Sequence, residues 1–391
     1  MKSKRIESID LLRGIIMVIM ALDHTRDFFH IQAFTGDPLD PATTTPILYA
    51  TRWITHFCAP TFVFLAGTSA WFQSQRKTTK ELSSFLITRG VWLILVDALV
   101  MTLITTANIH MDVIIIQTLW AIGISMVILG MMIWLPFNAI LAIGLLIVLG
   151  HNILDFAEAG KASLPIWWSL LHRQGFYQLW EGQGLFIFYP FLPWSGLMML
   201  GYCFGSIFTS YDEKKRSRLL LWGGLGLIGL FFVLRLPNIY GDTRPWEKQP
   251  TIMQTLMAIF NVNKYPPSLL YMCATIGPGL IFLAFVKEVR GRLARFFLVF
   301  GRVPMFYYIV HFFLLSCTNI ILFLARGHSF ADGMKGLPNL PFKFLVPNEG
   351  YSLLTVYLMW MSLVIFILYP LCRWYDKYKS SHPEKKWLSY L

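Results

Sequence analysis

The sequence predicts an all-α, polytopic integral membrane protein, and three observations carry that expectation. Of 391 residues, 56% are hydrophobic and only 14% charged, with 32 Phe, 14 Trp and 17 Met, whereas soluble chains of this size carry nearer 25% charge. Apolar runs long enough to cross roughly 30 Å of hydrocarbon recur along the whole chain. Lys and Arg collect in alternate connecting segments, as membrane orientation requires.

Scanning for such runs gives about ten spans: 9–29, 53–73, 84–106, 113–134, 137–154, 185–208, 218–234, 267–286, 298–324 and 351–372. Placing the N-terminus inside assigns Lys2, Lys4, Arg5, Arg76, Lys77, Lys80, Lys214, Lys215, Arg216, Arg218, Lys287, Arg290, Arg292 and Arg295 to the cytoplasmic face, with Arg373, Lys377, Lys379, Lys385 and Lys386 of the tail. The other face holds about half as many, so both termini are expected in the cytoplasm. The chain reads as one transmembrane domain over 1–391, with a basic tail, 373–391, suited to anionic lipid head groups.

The net charge of +12 follows from these loops, so nucleic acid is not an expected partner. Five cysteines, Cys58, Cys203, Cys273, Cys317 and Cys372, lie in or beside the spans without a C-x-x-C pair, and imply neither a disulfide framework nor a zinc site. No Walker loop, H-E-x-x-H or G-x-S-x-G is present, and no metal is expected. Gly224-Leu-Gly-Leu-Ile-Gly229 matches a dinucleotide fingerprint, yet it lies inside an apolar span with no preceding strand. Those glycines, like Gly201 and Gly205, are expected at close helix contacts.

The first span, Ser8 to Asp27, holds most of the chemistry. It carries Asp10, Arg13, Asp23, His24, Arg26 and Asp27, and an ionisable residue within a span is a functional candidate by default. Arg13 and His24 are eleven residues apart, which places them on one helix face and about 16 Å apart along the axis. Asp27, at i+3 from His24, is placed to orient the imidazole, whereas Asp23 points elsewhere.

Ranking the other spans by depth gives two layers. Arg13, Arg89 and Arg302 lie about 6–8 Å inside the cytoplasmic end, and His24, Asp97, His311 and His56 roughly 20 Å in. The functional reading is a passage with a cationic cytoplasmic mouth and proton-transfer groups beyond it. The structural reading is arginines that snorkel and histidines that satisfy carbonyls. Lys264 and Tyr265, ahead of two prolines, either face an acceptor or cap a helix.

Several stretches resemble a known family. They are Ser8-Ile-Asp-Leu-Leu-Arg-Gly with its run to Asp23-His24, Arg52-Trp-Ile-Thr-His-Phe-Cys-Ala-Pro-Thr-Phe-Val-Phe-Leu-Ala-Gly67, Tyr189-Pro-Phe-Leu-Pro-Trp194 to Gly201-Tyr202, Lys264-Tyr-Pro-Pro-Ser268 and Gly301-Arg-Val-Pro-x-x-x-Tyr308-x-x-His311. Over nearly its whole length the chain resembles bacterial relatives of the heparan-alpha-glucosaminide N-acetyltransferase catalytic domain, within a wider superfamily of transmembrane acyltransferases. The resemblance implies acetyl-CoA as cytoplasmic co-substrate and transfer to an amine or hydroxyl of a glycan or envelope component on the outer side, in a bacterial inner membrane. It implies that Arg13 and His24 match the superfamily's arginine and histidine, that a pantetheine arm bridges them, and that His24 is either general base or acetylated relay. Asp27 would orient it; Arg13, Arg89 and Arg302 would meet the carrier. Asp97, His56, His311, Lys264 and Tyr265 rank second. Lysosomal members carry an asparagine near the position of His24 and a histidine further on, where this chain has His30. Expected partners are acyl-CoA, the acceptor and membrane lipids, with a homodimer left open. The rival reading is a proton-coupled secondary transporter of a small anionic solute.

Overall fold

The computed structural model describes residues 6–33, 35–286, 288–336 and 341–389. Lys2, Lys4, Arg5 and Lys287 of the expected cytoplasmic charges lie outside the described residues. The protein is mostly helical, at 69%.

In chain order, α1 (Glu7–Phe29) is followed by α2 (Pro46–Ile54), a 3-10 turn (Thr55–Phe57) and α3 (Cys58–Ser74). Next, α4 (Thr79–Leu95) continues through a π-helical stretch (Val96–Met101) into α5 (Thr102–Thr106). Strand β1 (Val113–Ile116) precedes α6 (Thr118–Met132), α7 (Phe137–Gly150), α8 (Ile153–Glu158) and α9 (Ile166–Leu171). The β2 (Gly175–Trp180) and β3 (Gln183–Ile187) strands lead to α10 (Leu192–Ser210), α11 (Glu213–Arg235), α12 (Ile252–Phe260) and α13 (Leu269–Phe285). The chain closes with α14 (Arg292–Arg302), α15 (Pro304–Ala325), α16 (Phe330–Lys335), α17 (Leu353–Ser362), a second π-helical stretch (Leu363–Leu368) and α18 (Tyr369–Ser381).

The helix starts follow local chemistry. Thr78 and Glu81 form a capping box on α4, and Asp212, Thr251 and Ser352 cap α11, α12 and α17 by accepting from the third amide onward. Prolines occupy the first turns of α2, α10 and α15, where a missing N–H costs no intrahelical bond, whereas Pro370 follows the second π-helical stretch inside a continuous helix.

Among the described residues, four helices are long and apolar enough to cross a membrane, Thr79–Thr106, Glu213–Arg235, Pro304–Ala325 and Leu353–Ser381, with shorter apolar helices at Thr118–Met132, Phe137–Gly150 and Leu269–Phe285. Two expected spans begin differently. The stretches at 113 and 185 start as strands of a three-stranded sheet, ordered β1-β3-β2, which an all-α reading omitted. β-branched residues at 113–116 favour extension, and Glu181-Gly182, with Gly182 at φ +75°, makes the tight turn from β2 to β3. The stretch 298–324 is likewise two helices, broken at Val303 ahead of Pro304.

The chain divides into two compact units. One comprises the chain up to Cys58, Leu103–His110 and the chain from Val286 onward; the other comprises Ala59–Thr102 and Met111–Phe285. In the first, α1 packs against α2, α14, α15 and α17, and Trp360 Nε1 donates to the Val18 carbonyl at 2.9 Å. The α1–α14 crossing is backbone on backbone: a Cβ on Gly14 would stand 1.9 Å from the Phe297 oxygen, and one on Gly301 1.9 Å from the Asp10 oxygen. In the second, α11 packs on α13, α4 on α6, and α10 on α6 and α7. Gly224 meets α13 at the Gly277 carbonyl, 2.6 Å from its would-be Cβ, so the apparent nucleotide motif is a helix contact, as expected of small residues between membrane helices.

Arg235, 2% exposed, closes the loop after α11. Its guanidinium donates to the carbonyls of Arg244 (2.5 Å), Ala258 (3.0 Å), Ile259 (2.8 Å) and Asn261 (2.8 Å), thereby capping the C-terminus of α12.

A leucine at Gly301 has no room at this crossing. Gly301→Leu is expected to cost about 3 kcal/mol or more, the upper end for overpacking, seen as a lower thermal midpoint in detergent. Gly226→Leu, where a Cβ meets nothing within 4 Å, should leave the midpoint in place.

Candidate active site

Within the first unit, α1 and the α14–α15 pair meet at two levels. At the lower, Arg13 Nη1 reaches Asp10 Oδ1 at 3.2 Å and the Gly301 carbonyl at 3.3 Å. At the upper, His24 Nδ1 lies 2.8 Å from His311 Nε2. The two levels are eleven residues apart on α1 and ten apart from 301 to 311, so α15 runs in the same direction as α1, whereas α14, pairing Gly301 with Asp10 and Phe297 with Gly14, runs against it. About 16 Å of helix separates the arginine level from the histidine level.

The histidine pair has a defined proton pattern. His311 Nδ1 lies 3.0 Å from the Tyr307 carbonyl, which can only accept, so Nδ1 carries a hydrogen. A neutral His311 then presents a lone pair at Nε2, and His24 must donate to it from Nδ1. The basic nitrogen of His24 is therefore Nε2. Phe312 covers the His24 ring, centroids 4.1 Å apart, while His311 is fully buried. One imidazole orients the other, as a carboxylate orients the base of a hydrolase triad.

The C-terminal end of α1 carries an ion network. Arg26 Nη2 pairs with Asp23 Oδ1 (2.9 Å) and Asp27 Oδ1 (2.5 Å), and Arg52 Nη1 approaches Asp23 Oδ2 (3.4 Å) and Thr55 Oγ1 (2.7 Å). Asp23, discounted by its position in sequence, is the carboxylate that bridges two arginines and is the more buried of the two, with side-chain exposures of 9% against 44% for Asp27. Beside this network a polar cavity of about 200 Å³ is lined by Arg26, His30, Gln32, Asp37, Thr43 and Thr44 among others. Burial, and then the Arg26 charge, hold the His30 imidazole below its usual value.

The remaining expected residues are distributed as follows. Arg302 is half-buried and pairs with Glu7 (3.4 Å) and Asp376 (3.6 Å). His56 is buried on the 3-10 turn, its ring 6.3 Å from that of Trp53. Arg89, Asp97, Lys264 and Tyr265 belong to the second unit. The Arg89 guanidinium lies over the Phe85 ring at 5.9 Å. Asp97 Oδ2 accepts from the Gln117 amide at 2.5 Å, and the Leu119 and Trp120 amides point at the same carboxylate, so it caps α6. Lys264 Nζ lies over the Tyr265 ring at 5.1 Å, and the Tyr265 hydroxyl lies 3.4 Å from that of Tyr189. Ser268, the last residue of that motif, caps α13 by accepting from the Tyr271 amide at 3.0 Å.

Residues 5–234 match the family described as heparan-alpha-glucosaminide N-acetyltransferase, catalytic. The match spans more than half of the chain and includes Arg13, His24, Arg26 and Arg89. The chain belongs to that family. The family indicates a membrane-bound acetyltransferase of the N-acetyltransferase type, in keeping with the apolar helices. His311 lies beyond the matched residues, so its place against His24 is a finding of the fold. No curated protein matches the chain.

Removing the bridge between two arginines leaves buried charge uncompensated. Asp23→Asn is expected to cost about 3–5 kcal/mol, read as a lower thermal midpoint or loss of folded protein in detergent, whereas Asp27→Asn should shift the midpoint far less.

Proposed function

We propose that the chain is a membrane-embedded acyltransferase that moves an acetyl group from cytoplasmic acetyl-CoA to an amine or hydroxyl of a glycan or envelope component on the outer side of a bacterial inner membrane. Both termini face the cytoplasm in this reading. The observation that carries it is the His24–His311 contact, because it fixes Nε2 as the basic nitrogen of a half-buried His24, about 16 Å along α1 from a guanidinium. That span suits a pantetheine arm whose anionic end meets Arg13, with Arg302 of the same unit as a further carrier contact.

Two routes use the same nitrogen. As general base, His24 Nε2 takes the acceptor's proton while the acceptor attacks the thioester carbonyl; the C–S bond breaks, and the CoA thiolate leaves and is protonated. As nucleophile, Nε2 attacks the thioester carbonyl and the C–S bond breaks to release the CoA thiolate; the acceptor then attacks the acetyl group, the C–N bond to His24 breaks to restore a neutral ring, and the acceptor's proton goes to the thiolate. In both, the hydrogen bond to His311 stabilises charge on the His24 ring, and Asp27, paired with Arg26 one turn on, adds negative potential. The polar cavity beside Arg26 and His30 offers the acceptor's hydroxyls their partners. His56, in the same unit as His24, ranks second.

Purified protein with radiolabelled acetyl-CoA tests the reading. The wild type should hydrolyse it slowly or label an acceptor, His24→Ala should lose about 10²–10⁴-fold, and His311→Gln should lose activity with an altered pH profile while remaining folded. Label retained on acid-quenched protein without acceptor identifies the acetyl-histidine route. Turnover unchanged in His24→Ala sinks the proposal, and solute accumulation in proteoliposomes without acyl transfer favours a transporter.

A further inference from the structure

A second set of ligand-type atoms lies in the second unit and includes none of the residues given a role in the proposed chemistry. The short helix α8 places Asp155 and Glu158 one turn apart, and His172 follows α9 directly. One ligand atom from each lies within 4.8 Å of the others. His172 Nδ1 is 2.7 Å from Glu158 Oε1 and 4.0 Å from Asp155 Oδ1, with side-chain exposures of 0%, 8% and 12% for His172, Glu158 and Asp155.

Two features distinguish this set from an ordinary buried histidine–carboxylate pair. Asp155 Oδ1, turned toward His172, is shielded from solvent and meets no hydrogen-bond donor among the described residues; so is the Nε2 of His151, whose ring is 3% exposed. A shielded carboxylate oxygen without a donor has lost its hydration and gained nothing in exchange. Each of the three also has an outer partner. Asn152 Nδ2 donates to Asp155 Oδ2 at 2.7 Å, Trp168 Nε1 to Glu158 Oε1 at 2.7 Å, and His151 Nδ1 lies 3.1 Å from His172 Nε2. Such outer partners fix the orientation of metal ligands.

We propose that Asp155, Glu158 and His172 form a binding site for a divalent first-row cation of the Zn²⁺ or Mn²⁺ kind. A donor set of one imidazole and two carboxylates favours these ions over Mg²⁺ and Ca²⁺, which take oxygen ligands. Metal–ligand bonds near 2.1 Å in a tetrahedron place ligand atoms about 3.4 Å apart, between the 2.7 Å and 4.0 Å separations present. With all three atoms within 4.8 Å of one another, closing them to that spacing needs shifts of no more than about 1.5 Å. His172 coordinates through Nδ1, and its hydrogen sits on Nε2, donated to His151 Nδ1; both rings change tautomer with no net proton released. Asp155 and Glu158 also line a cavity of about 790 Å³, which gives the ion a path in and leaves one coordination position for water.

The sequence carries no spacing that announces this site. Residues 155, 158 and 172 fit no paired-ligand motif, and His172 reaches the carboxylates only because the chain folds back after α9.

The test uses the full-length protein in detergent, stripped with a chelator, dialysed against Zn²⁺ or Mn²⁺ alone, and assayed for bound metal and thermal midpoint. One metal per chain is expected in the wild type and equally in His24→Ala, which separates this site from the acyltransferase reading. Asp155→Asn should weaken binding at least about 10-fold, as should Trp168→Phe, which alters an outer partner and leaves the ligands in place. Mg²⁺ and Ca²⁺ should not compete at equal concentration. Wild-type protein that binds no more metal than His172→Gln, or affinity unchanged in both Asp155→Asn and Trp168→Phe, overturns the proposal and leaves a hydrogen-bonded histidine–carboxylate pair.

Discussion

Contact between two peptide backbones, α1 at Gly14 and α14 at Gly301, sets the geometry of the first unit. With no side chain between them, the helices approach as closely as their main chains allow, and their register is fixed to within a fraction of a turn. That register brings His24 level with His311 and Arg13 level with the end of α14. A side chain at either glycine would separate the pair and lengthen a 2.8 Å contact that depends on both helices. The break at Val303 matters equally, because α14 runs against α1 as far as Gly301 and the chain must turn there for α15 to run with it.

The buried ionisable groups of this unit are handled by pairing. Arg13 is neutralised by Asp10, Arg26 and Arg52 share Asp23, and Arg302 lies between Glu7 and Asp376. A charge in a bilayer costs several kcal/mol when alone, so these partners let cations line a helix bundle. The histidines follow another rule. A pair of imidazoles joined by one hydrogen bond holds one shared proton between facing nitrogens, and the carbonyl of Tyr307 decides which ring gives it.

Much of this was legible in the residues, for a physical reason. Position along a helix is a one-dimensional quantity, so the shared face of Arg13 and His24 and the role of Gly224 could be read from spacing. Pairings between distant segments could not. His24 and His311 are separated by 287 positions, and only their similar depth hinted at the contact. Asp23 was discounted because its neighbours on α1 were visible and Arg52 was not. The sheet was missed because short β-branched runs look the same to a hydropathy scan as the start of a span, although the Glu181-Gly182 turn was a signal.

Arg235 has a consequence for the rigidity of the second unit. One guanidinium gathers oxygen atoms from residue 244 and from the end of α12, so the chain from 236 to 261 is tied at two places to a single side chain of α11. The segment is a stiff wall instead of a swinging lid. Any molecule that enters beside it meets a surface already made, and gives up little freedom of the protein in doing so.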